Sequence, residues 1–135
     1  MALRADKCCT NTLALAKWLE ENPKVVGVNY PGLEGNKFFA LGKAQYKYPS
    51  SVLTFDLGSK ESCFLFMNNL KIARRSTNLC DNKTLVIHPH STIYSEYSEG
   101  QKADMKVTNG VIRVSVGIED IEDLIEDFSK ALELI

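Results

Sequence analysis

The sequence predicts a two-layer α/β sandwich, a mixed sheet with helices on one face. Three observations carry that expectation. Residues 51–57 (SVLTFDL) and 111–116 (VIRVSV) alternate apolar and polar side chains, the period of a half-buried strand. Near the C-terminus Ile121, Leu124, Ile125, Phe128 and Leu132 recur at helical spacing and form one apolar stripe. Strand-like and one-sided helical segments then interleave along the chain, so each layer has another to cover it.

Taken in order, residues 3–21 read as a helix, with Cys8, Thr12, Leu15 and Leu19 on one face, Trp18 beside them, and Asn22-Pro23 as the stop. VVGVN (Val25 to Asn29) reads as a short strand closed by the turn Tyr30-Pro31-Gly32. A weak helical segment is expected after Gly35, carried by Phe38, Phe39 and Leu41. Leu53, Phe55 and Leu57 give the next strand its core face. Ser59 is placed to cap a helix whose stripe is Cys63, Phe66, Met67 and Leu70. TLVIH forms a strand that Pro89 ends. The polar stretch Ser91 to Asn109 reads as a surface loop with one helical turn near Glu99 to Met105. Asn109-Gly110 turns the chain into VIRVSV, and four acidic residues, Glu119, Asp120, Glu122 and Asp123, crowd the start of the final helix, where they suit its dipole.

The 135 residues fit one domain, residues 1–135, without an internal repeat or linker. Sixteen basic and seventeen acidic side chains leave a formal charge of -1, which gives no electrostatic case for nucleic acid or an anionic membrane as partner. No window approaches the roughly 20 apolar residues of a membrane span. The opening MALRADKCC lacks the apolar core of a secretory signal, so the cytoplasm is the expected compartment. Cys8, Cys9, Cys63 and Cys80 have no metal-ligand spacing and read as buried free thiols. His88 and His90 flank Pro89 and read as structural or surface histidines, not as a metal pair. No metal site is expected, no phosphate-binding glycine loop is present, and no nucleophile elbow surrounds Ser91.

Arg113 is the residue with the sharpest alternatives. Ile112, Val114 and Val116 share one strand face, so Arg113 and Ser115 share the other. A guanidinium in mid-strand cannot enter the apolar layer without a partner. It is therefore a solvated surface group, or, where another domain covers that face, a planar fork of donors suited to a carboxylate.

STNLCDNKTLVIHPHST, followed by VIRVSVGIEDIEDLI, resembles the C-terminal part of the pyridoxal-phosphate (PLP) enzymes of the Cys/Met metabolism, or trans-sulfuration, family. NPKVVGVNYPGLE and SVLTFDLGSKESCFLFMNNLKI agree in the same order, so the likeness runs along nearly the whole chain. The resemblance implies the small C-terminal domain of a fold-type-I enzyme, with a separate large domain holding PLP as a lysine Schiff base. It implies that Arg113 binds the substrate α-carboxylate, that Asn78 lies by the same group, and that Thr92 falls in a segment near the site. It also implies PLP as cofactor of the full-length enzyme, an amino-acid substrate, and the large domain as partner. NYPGLE and NLCD lean towards the O-acetylhomoserine sulfhydrylase branch and γ-replacement; methionine γ-lyase and cystathionine γ-synthase types are the neighbouring alternatives. Nothing here resembles the large domain, so this chain alone is expected to hold no catalytic residue, to bind no PLP and to be inactive. A non-catalytic folding or self-associating module, with a homo-oligomer as one form, is the competing expectation. Cys80 departs from the family, which commonly has glycine in that turn, and His90 stands where small residues are usual; a turn needing positive φ would be strained by cysteine.

Overall fold

Apolar halves of the period-two segments fold together because they can share one layer. The computed structural model describes all 135 residues. Its strands are β1 (Gly27–Asn29), β2 (Val52–Asp56), β3 (Arg74–Arg75), β4 (Leu85–Ile87) and β5 (Val111–Ser115). Its helices are α1 (Ala2–Glu20), α2 (Phe39–Gln45), α3 (Lys60–Asn69), α4 (Glu99–Asp104) and α5 (Ile121–Glu133), with a 3-10 turn at Pro89–Ser91. The strands form one mixed sheet in the order β1-β2-β5-β4-β3. Three pairings are antiparallel and β3 joins β4 in parallel. The last strand in the chain is thus the middle of the sheet.

Leu53, Phe55, Val86, Ile112, Val114 and Val116 project to one side and enter a single core with residues of α1, α3 and α5. Phe66 stands edge-on to both Phe55 and Phe128, at centroid distances of 5.5 and 5.2 Å. Cys8, Thr12, Leu15 and Leu19 are buried on α1, as their spacing predicts. Ser59 caps α3, its Oγ accepting from the Ser62 N–H at 3.1 Å. Asp120 caps α5 in the same way, from the Glu122 N–H at 2.9 Å. At the other end of α5, Lys24 Nζ donates to the carbonyls of Leu132 at 2.8 Å and Ile135 at 2.7 Å, satisfying groups the helix leaves open. Burial pushes the Cys63 thiol up to about 12, which makes it inert as a nucleophile.

Several expectations are corrected. VVGVN is strand only from Gly27, and Val26 is 74% exposed, because this is the sheet's outer edge. β3 is a strand without a sequence signal, since two exposed arginines carry no alternation to read. The segment after Gly35 does form a helix, α2, but none of its residues is buried. Cys80 is exposed, unlike the other three cysteines, because its turn lies on the surface. No helix is long and apolar enough to cross a membrane.

The end of the VSVGIED string is held by geometry, not by chemistry at a site. Glu119 accepts from the Thr84 N–H at 2.7 Å and from the Thr84 hydroxyl at 2.8 Å. The Gly117 N–H donates to Thr84 Oγ1 at 3.0 Å. A Cβ on Gly117 would lie 2.3 Å from the Asn82 carbonyl oxygen, so only glycine lets the two segments approach this closely.

Cys80 has φ of 58°, in the left-handed region. The departure from glycine therefore costs conformational energy, as the turn's family pattern implied. Cys80→Gly is expected to stabilise the chain by about 1 kcal/mol, less the entropy that glycine adds to the unfolded state. A rise in the urea midpoint at unchanged slope checks it; no rise would show that the turn relaxes around cysteine.

Candidate functional site

The sheet face turned away from the three core helices carries the candidate site. On β5, Arg113 and Ser115 point to this side; the register sets Thr54 of β2 and Ile87 of β4 opposite Arg113, and Leu85 opposite Ser115. Leu85 and Ile87 are nevertheless buried, because the face is partly roofed by irregular segments. What remains open is a groove of about 570 Å³ lined by Arg113, Thr54, Tyr94, Phe38, Met105 and Lys106, among others.

Arg113 is half-buried in that groove. Its Nη2 donates to the Thr77 carbonyl at 2.9 Å and reaches the Asn78 carbonyl at 3.5 Å. Its Nε is the single buried side-chain nitrogen or oxygen in the chain with no hydrogen-bond partner. Burial lowers the guanidinium from its ordinary value, with the Tyr94 phenol opposing. The group nonetheless stays charged at any working pH. A buried donor of a cation left unpaired loses water and gains nothing in return, so an anion reaching Nε would recover that cost. No salt bridge within the chain serves Arg113.

The other residues picked from sequence are placed less directly. Asn78 meets Arg113 through its backbone carbonyl, and its side chain is exposed. The Thr92 hydroxyl donates to the His88 carbonyl at 2.8 Å and lines a neighbouring cavity of about 360 Å³, together with Thr77, Ser91 and His88. The structure therefore brings Thr77, not the Asn78 or Thr92 side chain, against the guanidinium. Two residues carry no sequence signal: Thr77, which acts through a main-chain oxygen, and Tyr94, which lines the same groove. Ser115 was legible as Arg113's neighbour on the same strand face.

His88 is 1% exposed and fully engaged. Its Nε2 donates to the Asn109 carbonyl at 2.8 Å, which leaves Nδ1 to accept from the Ser91 hydroxyl at 2.7 Å. This neutral tautomer is structural. Burial lowers its pKa below 6.5. The unfolded chain then binds more protons than the folded one between the lowered value and 6.5, so stability falls as pH drops through that window. Urea midpoints at pH 7.5 and 5.5 are expected to diverge in the wild type and to draw together in His88→Gln. An unchanged difference in the variant would assign the slope to other groups. His90 pairs with Glu99 at 3.1 Å, and no three His, Cys, Asp or Glu side chains converge on a common metal position.

PLP is a poor fit to the residues of this chain. An amine that forms a Schiff base has to be held neutral, usually by burial. The groove's lysines, Lys37 and Lys106, are exposed. Lys102 is the one buried lysine, and it is paired with Glu99 at 3.0 Å. No reaction step is therefore assigned to PLP within these residues; the donor set fits a carboxylate.

The fold is thus an α/β sandwich with helices behind a mixed sheet and, on the sheet's open face, a groove lined by a half-buried arginine with an unpartnered donor. A family model of the Cys/Met metabolism PLP-dependent enzymes matches residues 1–133. The chain belongs to that family. It is 40% identical to O-acetyl-L-homoserine sulfhydrylase 1 of Thermus thermophilus over 98% of its own length and 32% of that protein's. It is 35% identical to the L-methionine gamma-lyase of Fusobacterium nucleatum, again over 98% of its length and 34% of the relative's. The chain thus spans about a third of the curated relatives it matches. Among solved structures, one of an O-acetylhomoserine sulfhydrylase from Wolinella succinogenes superposes with a TM-score of 0.86 at 42% identity, covering 98% of this chain and 35% of that one. A putative O-acetylhomoserine (thiol)-lyase from Campylobacter jejuni, solved with N'-pyridoxyl-lysine-5'-monophosphate, superposes with a TM-score of 0.94 at 34% identity, covering 98% and 32%.

Proposed function

We propose that these 135 residues are the C-terminal, substrate-carboxylate-binding domain of a PLP-dependent sulfur amino-acid enzyme, of the O-acetylhomoserine sulfhydrylase type that carries out γ-replacement. Arg113 is the residue that grips the α-carboxylate. The single observation that carries this reading is the buried, unpartnered Nε of an arginine that lines the groove on the sheet's open face. Nη2 carries two N–H groups; with one given to the Thr77 carbonyl, the edge formed by Nε–H and the other Nη2 N–H is the pair left for the two oxygens of a carboxylate. Asn78 and Thr92 sit on the two segments flanking that position, and their part in the proposal is to close around the bound group.

The rest of the site belongs, on this reading, to a large domain outside these residues, which contributes PLP and its lysine. The chain's own share is to bind and orient the substrate and to keep its α-carboxylate desolvated against the sheet. By itself the chain binds no PLP and is inactive. The identity of 40% to a sulfhydrylase, against 35% to a methionine gamma-lyase, leans towards γ-replacement over γ-elimination.

The test uses the chain alone, labelled with ¹⁵N on arginine. Glycine at millimolar concentration is expected to shift the Arg113 Nε–H resonance in a saturable way, and glycinamide, which lacks the carboxylate, is expected not to. Equal responses to both compounds, or none to glycine, would remove Arg113 from the role.

A further inference from the structure

A long arginine side chain is useful as a clamp only if its plane is fixed, because each free rotamer lowers the fraction aligned with the ligand. What fixes Arg113 is the Thr77 carbonyl, and Thr77 lies in the irregular, exposed connection between β3 and β4. Something must hold that connection. On its upstream side it is secured twice: the Ser76 N–H donates to the Val86 carbonyl at 3.2 Å, and β3 pairs with β4. On its downstream side the Cys80 N–H donates to Ser115 Oγ at 3.0 Å. Within residues 77–80 this is the only main-chain donor bonded to another element; the Asn78 N–H reaches no further than Ser76 Oγ, at 3.4 Å.

Ser115 is 1% exposed and stands two residues beyond Arg113 on the same face of β5. One strand therefore presents both the clamp and the hydroxyl that ties down the loop holding the clamp. Cys80 accepts a left-handed backbone, φ 58°, in the residue whose N–H makes this bond. A strained residue persists where the surrounding contacts over-determine it.

We propose that Ser115 is a positioning residue for Arg113: its hydroxyl pins the loop through Cys80, and the pinned Thr77 carbonyl holds the guanidinium with Nε presented to the substrate carboxylate. This rests on the carboxylate reading given above. Ser115 touches neither substrate nor cofactor. Removing its hydroxyl frees the loop, lets the Thr77 carbonyl withdraw, and returns the guanidinium to a mobile ensemble.

The experiment compares the wild-type chain with Ser115→Ala, which keeps a small side chain, and Ser115→Thr, which keeps the hydroxyl. Three readouts are taken: hydrogen exchange of the Cys80 amide, the Arg113 Nε–H resonance, and the dissociation constant for glycine. In Ser115→Ala the Cys80 amide is expected to exchange about tenfold faster and glycine to bind about tenfold more weakly. The Arg113 signal should move to the position of exposed arginines, and Ser115→Thr should restore all three. Ser115→Cys serves in place of the alanine variant should that fail to fold, since a thiol is a poor acceptor. A faster Cys80 amide with an unchanged Arg113 signal overturns the proposal, as does equal weakening in the alanine and threonine variants. An absent glycine response in the wild type counts against the carboxylate reading itself, while the exchange and Arg113 signals still decide whether Ser115 sets the arginine.

Discussion

In an enzyme assembled from this chain and a PLP-carrying large domain, Arg113→Ala is expected to lower kcat/KM for the amino-acid substrate by about a hundredfold or more. Two charge-assisted hydrogen bonds to a carboxylate are each worth roughly 1.5–3 kcal/mol, and about 1.4 kcal/mol is a factor of ten. Arg113→Lys should recover only part of the loss. An ammonium keeps the charge but not the flat pair of donors, and it cannot hold the Thr77 carbonyl and a carboxylate in one plane. The split between constants is informative. A rise in KM alone means the clamp holds ground state and transition state equally, while a fall in kcat means that its alignment matters to the reacting atoms. Steady-state kinetics on the two variants decides the matter, and wild-type values for Arg113→Ala would end the assignment.

The largest effect on folding is expected at Asp127. Its carboxylate is 5% exposed on α5 and accepts three consecutive main-chain N–H groups, from Lys71 at 2.7 Å, Ile72 at 3.0 Å and Ala73 at 3.1 Å. Asp127→Asn keeps the shape but turns one acceptor into a donor, which opposes the Lys71 N–H or those of Ile72 and Ala73 and leaves at least one without its acceptor. The expected cost is about 3 kcal/mol, from lost charge-assisted bonds and an unsatisfied amide. That is a large part of the roughly 5–15 kcal/mol a domain has in hand. Urea unfolding at neutral pH measures it; a change under about 1 kcal/mol would mean that the 71–73 segment finds other acceptors. The segment leads through β3 into the loop that holds Arg113, so the same variant is expected to loosen the clamp.

How much of this was legible follows from what each residue depends on. The sheet's inner face and the α5 stripe were readable because alternation and 3.6-residue spacing are local properties of sequence. Arg113's orientation followed from its neighbours Ile112 and Val114, which are fully buried. β4 resisted that logic, since Leu85, Val86 and Ile87 are all buried and show no alternation. Asp127 carries no local signal, because its role depends on a segment 54 to 56 residues away in sequence. Thr77 contributes a carbonyl, a group every residue has, so side-chain identity could not mark it. Resemblance placed Asn78 and Thr92 near the site, but their side chains do not meet the guanidinium here.

The central position of β5 has a consequence for how the sequence can change. Substitutions leave the two faces of the strand where they are, but an inserted or deleted residue exchanges them. A single deletion inside Val111–Ser115 would turn Arg113 towards Phe55 and Phe128 and carry Ile112 into the groove, so fold and site would be lost in one step. Length variation in this chain is therefore confined to the connections, and a homologue with a gap across β5 can be set aside as misaligned before any question of function is asked.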